Sequence, residues 1–498
     1  MTAGTPPSHA PTRSLTTSYI VFMIVAAAAP LSAMVGTVPL AFAIGTAEGV
    51  PAAFAFAGVT LLCFSVGYAI SARRTGGSGG FYASIADGLG RPTAVGSGWV
   101  AVVSYNCATI GLVGALGYFT SLVLADHGVH LSWEWCAAIG LALIAALGYR
   151  DIAISARVLA VLMLAEIGIL AALDVAVLVR HGVHALPGAS FSWHAATGPG
   201  VGVSLMFAFV SFIGFESAAL YGKEAKNPRR SVPRATYVAA VLISGFYALT
   251  SWEAVGAIGS GQVRETAGKQ LGDLFFTLGD DYLGSAGSTV LQIMLCSSLF
   301  AATLALHSAS NRYAQVLADD GLLPSFLGRL HSKYGSPHLA SVVQVALCAA
   351  AVVGFAAGGL DPYANMTTSM LGLGTLGIVV LQALAALSAV ALRRKGIRLG
   401  WWQGTVLPLL GFAGLAATVY LVVGNFDVLT GATGGVVVQL PWVIPLVAAL
   451  GVLWALRLRA VAPARYRALA TAHVAPEDQA DRTAPDQAPA PAPVSKPA

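Results

Sequence analysis

The sequence predicts an all-α integral membrane protein with twelve transmembrane helices. Three observations carry that reading. Hydrophobic residues make up 56% of the 498 and charged residues only 10%, with a mean hydropathy of +0.75; a soluble domain carries about 25% charged residues. Apolar runs of about 20 residues, long enough to cross a bilayer as helix, recur along the chain. The cations gather in alternate gaps between those runs.

The runs lie at 19–45, 50–72, 93–124, 134–150, 153–179, 198–222, 235–259, 284–317, 338–358, 363–392, 403–424 and 437–458. Arg13 precedes the first, Arg73, Arg74 and Arg91 follow the second, and Arg150 and Arg157 flank the end of the fourth. Lys223, Lys226, Arg229, Arg230 and Arg234 follow the sixth, and Arg312, Arg329 and Lys333 the eighth. Arg393, Arg394, Lys395 and Arg398 follow the tenth, and Arg457, Arg459, Arg465 and Arg467 close the twelfth. One side thus holds 22 cations, whereas the other holds Arg180, Arg264 and Lys269. Positive charge marks the cytoplasmic side, so the reading is a multi-pass cell-membrane protein with both termini inside.

Residues 1–17 form a polar cytoplasmic tail without the features of a cleavable signal. The twelve-helix domain covers 18–460. Residues 461–498 hold seven of the 24 prolines and read as a disordered cytoplasmic tail. The stretch 260–283, with Asp273, Asp280 and Asp281, is expected to be a solvated outward loop.

Two spans carry signals of a broken helix. In the first, Pro30 removes a backbone hydrogen bond, and Ser32, Ala33, Met34, Val35, Gly36 and Thr37 are expected to line an unwound stretch. In the sixth, Phe212, Ile213, Gly214 and Phe215 precede the acid Glu216 at bilayer depth. Interruptions in matching helices of two five-helix halves point to a transporter substrate site. Half-helix N-termini suit a carboxylate and exposed carbonyls suit an ammonium, so two breaks can hold an amino acid zwitterion. Phe212 and Phe215 either close over such a ligand or pack in the core.

Other classes find no footing. Cys63, Cys107, Cys136, Cys296 and Cys348 lie in apolar runs without CxxC or histidine at ligand spacing, so packing is expected and no metal or cofactor. The net charge of +5 comes from loop cations and does not point to nucleic acid. Thr75–Gly80 lacks the GxxxxGK pattern of a phosphate loop. No nucleophile–base pair suggests an enzyme, and no selectivity ring suggests a channel. The partners expected are a small-molecule substrate and the lipid bilayer; the oligomeric state is left open.

The segment Glu224-Ala225-Lys226-Asn227-Pro228-Arg229-Arg230-Ser231-Val232-Pro233-Arg234-Ala235, following Gly214-Phe215-Glu216, resembles the amino acid–polyamine–organocation (APC) superfamily of permeases. Two further stretches are similar to that family, in its order. One is Ser310-Asn311-Arg312-Tyr313 with Leu317–Pro324 and Lys333–His338; the other is Gly79-Gly80-Phe81-Tyr82 with Gly88–Pro92. The resemblance implies an inverted five-plus-five repeat with helices 1 and 6 broken, two further helices, and alternating access by rocking of a bundle against a scaffold. It implies a secondary transporter of amino acids, proton-coupled or exchanging. An amine or polyamine importer of the same fold is the alternative, and an extra acid near the site would favour it.

The chain departs from the family twice. Many relatives carry Gly-Ser/Ala-Gly in the first break, where Ser32-Ala33-Met34-Val35-Gly36 stands here. Glu166 stands where some proton-coupled relatives carry lysine. Glu216 resembles the acid at the sixth-helix break of arginine–agmatine-type exchangers and is the first candidate for coupling; capping the unwound backbone is its other reading. Glu166 is expected in the cleft between helices 1, 5 and 8, since a carboxylate in lipid is costly. His307 can titrate near neutrality or simply pack. Tyr105, Asn106 and Thr109 share spacing on one face of helix 3 and either meet the ligand or neighbouring helices. A proton is the favoured coupling ion; sodium, aided by Ser297 and Ser298, is less favoured.

Overall fold

The computed structural model describes residues 16–75, 80–150, 156–216, 226–395, 397, 400–430 and 437–470, and no strand occurs among them. In chain order the α-helices are α1 Thr17–Ala27, α2 Pro30–Ile44, α3 Val50–Arg74, α4 Gly80–Leu89, α5 Arg91–Asp126 and α6 Trp133–Tyr149. Next come α7 Ala156–His181, the single turn α8 Trp193–Ala196, α9 Val201–Val210, α10 Pro228–Ile258, α11 Val263–Gln270 and α12 Leu274–Asp319. The last six are α13 His338–Ala357, α14 Thr368–Arg394, α15 Leu407–Gly424, α16 Phe426–Thr430, α17 Val443–Val461 and α18 Pro463–Ala468. Among the described residues, ten helical stretches are long and apolar enough to cross a bilayer. The helices α6 and α9 are apolar but shorter, at 17 and 10 residues.

Local signals account for several boundaries. Thr16 caps α1, its hydroxyl accepting from the Tyr19 amide at 3.3 Å. The left-handed Gly90 (φ 94°) turns the chain into α5, where Pro92 sits in the first turn. Pro228 opens α10, and the Asn227 carbonyl accepts the Ser231 amide at 2.7 Å, so the Asn-Pro of the motif is a helix start. At 36 residues, α5 is about 54 Å long and outruns the ~30 Å hydrocarbon layer. It forms the centre of the packing, with α14, α12 and α17 against it. Where α14 crosses, a Cβ on Gly374 would meet the Ala108 amide at 2.7 Å and the Ser104 carbonyl at 2.8 Å. Small residues at such crossings let membrane helices approach backbone to backbone.

Two expectations about the ends of elements are corrected. The stretch 260–283 is not a solvated loop: it holds α11 and the first turns of α12, up to a break at Gly284 (φ 75°, ψ 173°). Val263 and Ala267, one helical turn apart, are buried with Leu274, Phe275 and Phe276, an apolar stripe that the neighbouring aspartates obscured in the sequence. The tail expected from 461 onward is ordered at its start. The helix α18 follows α17, Leu469 and Ala470 are buried, and Arg91 donates to the carbonyls of Arg467 (2.9 Å) and Leu469 (3.2 Å). Residues 471–498 lie outside the described ones, as do 1–15, the loop residues 76–79 and the motif residues 217–225.

Candidate substrate site

The first break forms where Pro30 cannot donate the amide that a continuous helix requires. The helix α1 ends at Ala27, Ala29 takes the left-handed conformation (φ 45°, ψ 70°), and Pro30 becomes the first residue of α2. In the first turn of a helix a missing N–H does no harm. The turn leaves the amides of Leu31 and Ser32 without a helical partner, and Ala29 has no side chain to cap them. Glu166 of α7, only 5% exposed, reaches in instead. Its carboxylate accepts from the Leu31 amide and, at 2.8 Å, from the Ser298 hydroxyl of α12. Ser32 in turn donates to Ser298 at 2.8 Å. On the other side of the break, Tyr247 of α10 donates to the Ala28 carbonyl at 3.1 Å.

The second break begins where α9 stops at Val210, and the chain turns through 211–216. Gly214 has φ 102°, and a Cβ there would lie 2.8 Å from the Ala27 carbonyl oxygen. Glycine is therefore required twice over, by conformation and by contact with the first break. Glu216 folds back on this turn: one carboxylate oxygen accepts the Gly214 amide at 3.1 Å, the other the Tyr105 hydroxyl at 2.5 Å. Thr37 and Ser211 form a second link between the breaks, 3.1 Å apart.

A cavity of about 450 Å³ lies between them. Ala28, Ala29, Ser32, Ala33, Gly36 and Thr37 form one wall, and Ser211, Ile213, Gly214 and Glu216 another. Tyr68, Tyr105 and Tyr313 add aromatic faces, the latter two stacked at 5.0 Å, and an alanine-rich face of α12 from Ala301 to Ala309 completes the lining. At one end the cavity reaches the exposed Arg312. Behind its Gly36 wall lies an aromatic layer: the Tyr363 hydroxyl donates to the Gly36 carbonyl at 3.2 Å, Tyr118 stacks on Tyr363 at 4.8 Å, and Phe119 meets it edge-on at 5.1 Å. Beyond these, Arg264 of α11 donates to the carbonyls of Ala43 (3.0 Å) and Gly45 (2.6 Å).

A family model described as "Amino acid permease" matches residues 13–453 of the chain. The chain belongs to the amino acid permease family. This makes it a multi-pass membrane transport protein. It is 28% identical to the uncharacterized amino acid permease YecA of Bacillus subtilis over 317 residues, 61% of this chain and 68% of that protein. It is 23% identical to the branched-chain amino acid permease BcaP of Bacillus subtilis, over 71% of this chain and 75% of that one. To the low-affinity putrescine importer PlaP of Escherichia coli it is 24% identical, over 70% and 76%.

Within this permease the residues singled out in the sequence separate into two groups. Ser32, Ala33, Gly36, Tyr105, Ile213, Gly214 and Glu216 line the cavity. Met34 and Val35 are buried in the helical part of α2, because the break falls at Ala28–Ala29 and not across Ser32–Gly36. Phe212 and Phe215 are buried in the core, Phe212 against Tyr247 at 5.6 Å, and do not line the cavity. Asn106 donates to its own helix at Val102 (2.7 Å). His307 does not line the cavity itself but packs behind it against Gly148 of α6, with its Nε2 2.8 Å from the Ser341 hydroxyl and 3.0 Å from the Asn311 amide. Glu166 lies behind the first break, among α2, α7 and α12. Tyr68 escaped the sequence reading, since one aromatic in an apolar run has no local mark, whereas Ser211 stands at the start of the expected second break. Tyr313 was within reach, as the last residue of the Ser-Asn-Arg-Tyr stretch.

Proposed function

We propose that this permease is a secondary active transporter that moves amino acids across the cytoplasmic membrane by alternating access, with proton coupling or exchange. The observation that carries the reading is a cavity walled by residues of both helix breaks. Irregular backbone at membrane depth is tolerated where it lines such a cavity. Among the described residues, the rest of the lining is apolar and small side chains, hydroxyls, Arg312 at one end and one acid, Glu216, a setting suited to a zwitterion held by backbone dipoles. In this reading α6 and α9 span together with the ten longer helices, giving twelve. The cation asymmetry sets both termini in the cytoplasm. The end of the cavity at Arg312 then faces inward, and the Tyr118–Tyr363 layer is the closed outer side.

A proton is the coupling ion in this reading. Ser297 donates to its own helix at Met294 (2.8 Å), Ser298 donates to Glu166 and accepts from Ser32, and neither serine lines the cavity. The test is uptake of labelled amino acids and amines into proteoliposomes under imposed gradients. Amino acid uptake driven by an inward proton gradient and blocked by a protonophore is the expected result. Uptake of putrescine-like amines alone would replace this substrate class, and dependence on a sodium gradient would replace the ion.

A further inference from the structure

Away from the cavity, α7 and α10 bury a second pair of acids. Asp174 is 6% exposed and Glu253 is 1% exposed, each within a stretch long and apolar enough to cross the membrane. Thr250, one turn before Glu253, donates its hydroxyl to Asp174 Oδ2 at 2.8 Å. Glu253 is near enough to Asp174 for the two carboxyl charges to act on each other. Neither oxygen of Glu253 has a hydrogen-bond partner.

Among the described side chains, the following titratable groups on the surrounding helices are engaged or exposed elsewhere. On α7, Glu166 bonds Leu31 and Ser298, Arg180 donates to the Asp281 carbonyl, and His181 meets the Tyr282 hydroxyl. His184 in the turn after α7 is exposed, as are Asp280 and Asp281 on α12 and Tyr19 on α1; His307 on α12 bonds Ser341. On α3, Tyr68 lines the cavity and Arg74 pairs with Asp87; on α11, Arg264 holds the Ala43 and Gly45 carbonyls, and Lys269 pairs with Glu265. The helix α2 carries no titratable side chain. On α10 itself, Tyr247 bonds the Ala28 carbonyl, while Tyr237, Arg234 and Arg230 lie about 24 Å or more down the helix.

An unpaired buried carboxylate is strongly disfavoured, and two facing ones without a cation more so. Two carboxyls sharing one site relieve this by holding a proton between them. We propose that Asp174 and Glu253 form a proton-binding site, a carboxyl pair sharing one proton, separate from the substrate cavity. The unpartnered Glu253 is then the donor and Asp174, steadied by Thr250, the acceptor. The helix α7 packs mainly on α12, while α10 packs mainly on α3 and α1. A proton in the pair joins these two groups of helices, and its loss sets two like charges across their contact. The site does not depend on which substrate the cavity takes.

The test is an infrared pH titration of the protonated-carboxyl band of the full chain in lipid nanodiscs, without substrate. The wild type is compared with Asp174→Asn/Glu253→Gln, both near-isosteric changes. The expected result is a pH step of about one proton per chain that is missing from the double variant. Identical titrations would overturn the proposal. So would loss of the band on adding sodium at fixed pH in the wild type alone, which would make the pair a sodium site. Should the double variant aggregate, Thr250→Val decides between the same outcomes: a shifted step supports the pair, and an unmoved one overturns it.

Discussion

Glu216 engages both carboxylate oxygens, one with Tyr105 and one with the Gly214 amide, so it holds the second break in shape as well as lining the cavity. Replacing it with alanine leaves a buried hydroxyl and a backbone amide unpaired, each worth about 1–3 kcal/mol. Glu216→Ala is therefore expected to lower the thermal midpoint of the purified protein by several degrees, whereas Glu216→Gln retains one acceptor and most of the stability. Transport separates the capping role from a coupling role. If Glu216 carries the coupling proton, Glu216→Gln keeps substrate binding but flattens the pH dependence of uptake in proteoliposomes. An unchanged pH profile and rate would leave Glu216 as a cap alone. The sequence disclosed this residue because a carboxylate in an apolar run beside glycine is conspicuous. It did not disclose Tyr105 as the partner, since the pairing joins positions 111 residues apart.

At the scale of elements, Pro30 announced the first break but not its place. Read as a kink inside a helix, proline puts the irregular stretch after it; as the first residue of a new helix, it puts the stretch before. The structure takes the second course, with Ala29 in a left-handed conformation that alanine propensity does not suggest. The contrast is testable. Ala29→Gly suits φ 45° and should leave stability within about 1 kcal/mol, while the β-branched Ala29→Val should reduce folded yield and melting temperature sharply. The second break was better marked, because Gly214 stood between apolar flanks in the sequence. Gly214→Ala combines an unfavourable φ with a contact on the Ala27 carbonyl, so a loss of at least about 1–2 kcal/mol is expected, the size of the αL penalty alone. Denaturation monitored by tryptophan fluorescence reads both series; equal stability of Ala29→Gly and Ala29→Val would contradict the left-handed turn.

For the whole molecule, the decisive asymmetry is a cavity that reaches the exposed Arg312, with the Tyr118–Tyr363 layer packed behind its Gly36 wall. In a background lacking the five native cysteines, Ser308→Cys on the cavity wall should react with a charged thiol reagent from the cytoplasmic side and be protected from outside. Labelling from outside alone would invert the proposed orientation. Glu166 ties this state together, because its carboxylate meets α2 at the Leu31 amide and α12 at Ser298 while standing on α7. An ionised carboxylate at a helix N-terminus gains from the dipole and from charge-assisted bonds that a neutral side chain makes more weakly. Glu166→Gln keeps the shape and removes the charge, mimicking the protonated acid. The loss is on the order of 1 kcal/mol, about fivefold in the balance between this state and one open to the other side. Cytoplasmic labelling of Ser308→Cys should slow accordingly when Glu166→Gln is added, and raising the pH should no longer alter it. Labelling that stays at the parental rate from about pH 5 to 8, the range in which a buried carboxyl can titrate, would mean that Glu166 packs the break without governing which side the permease opens to.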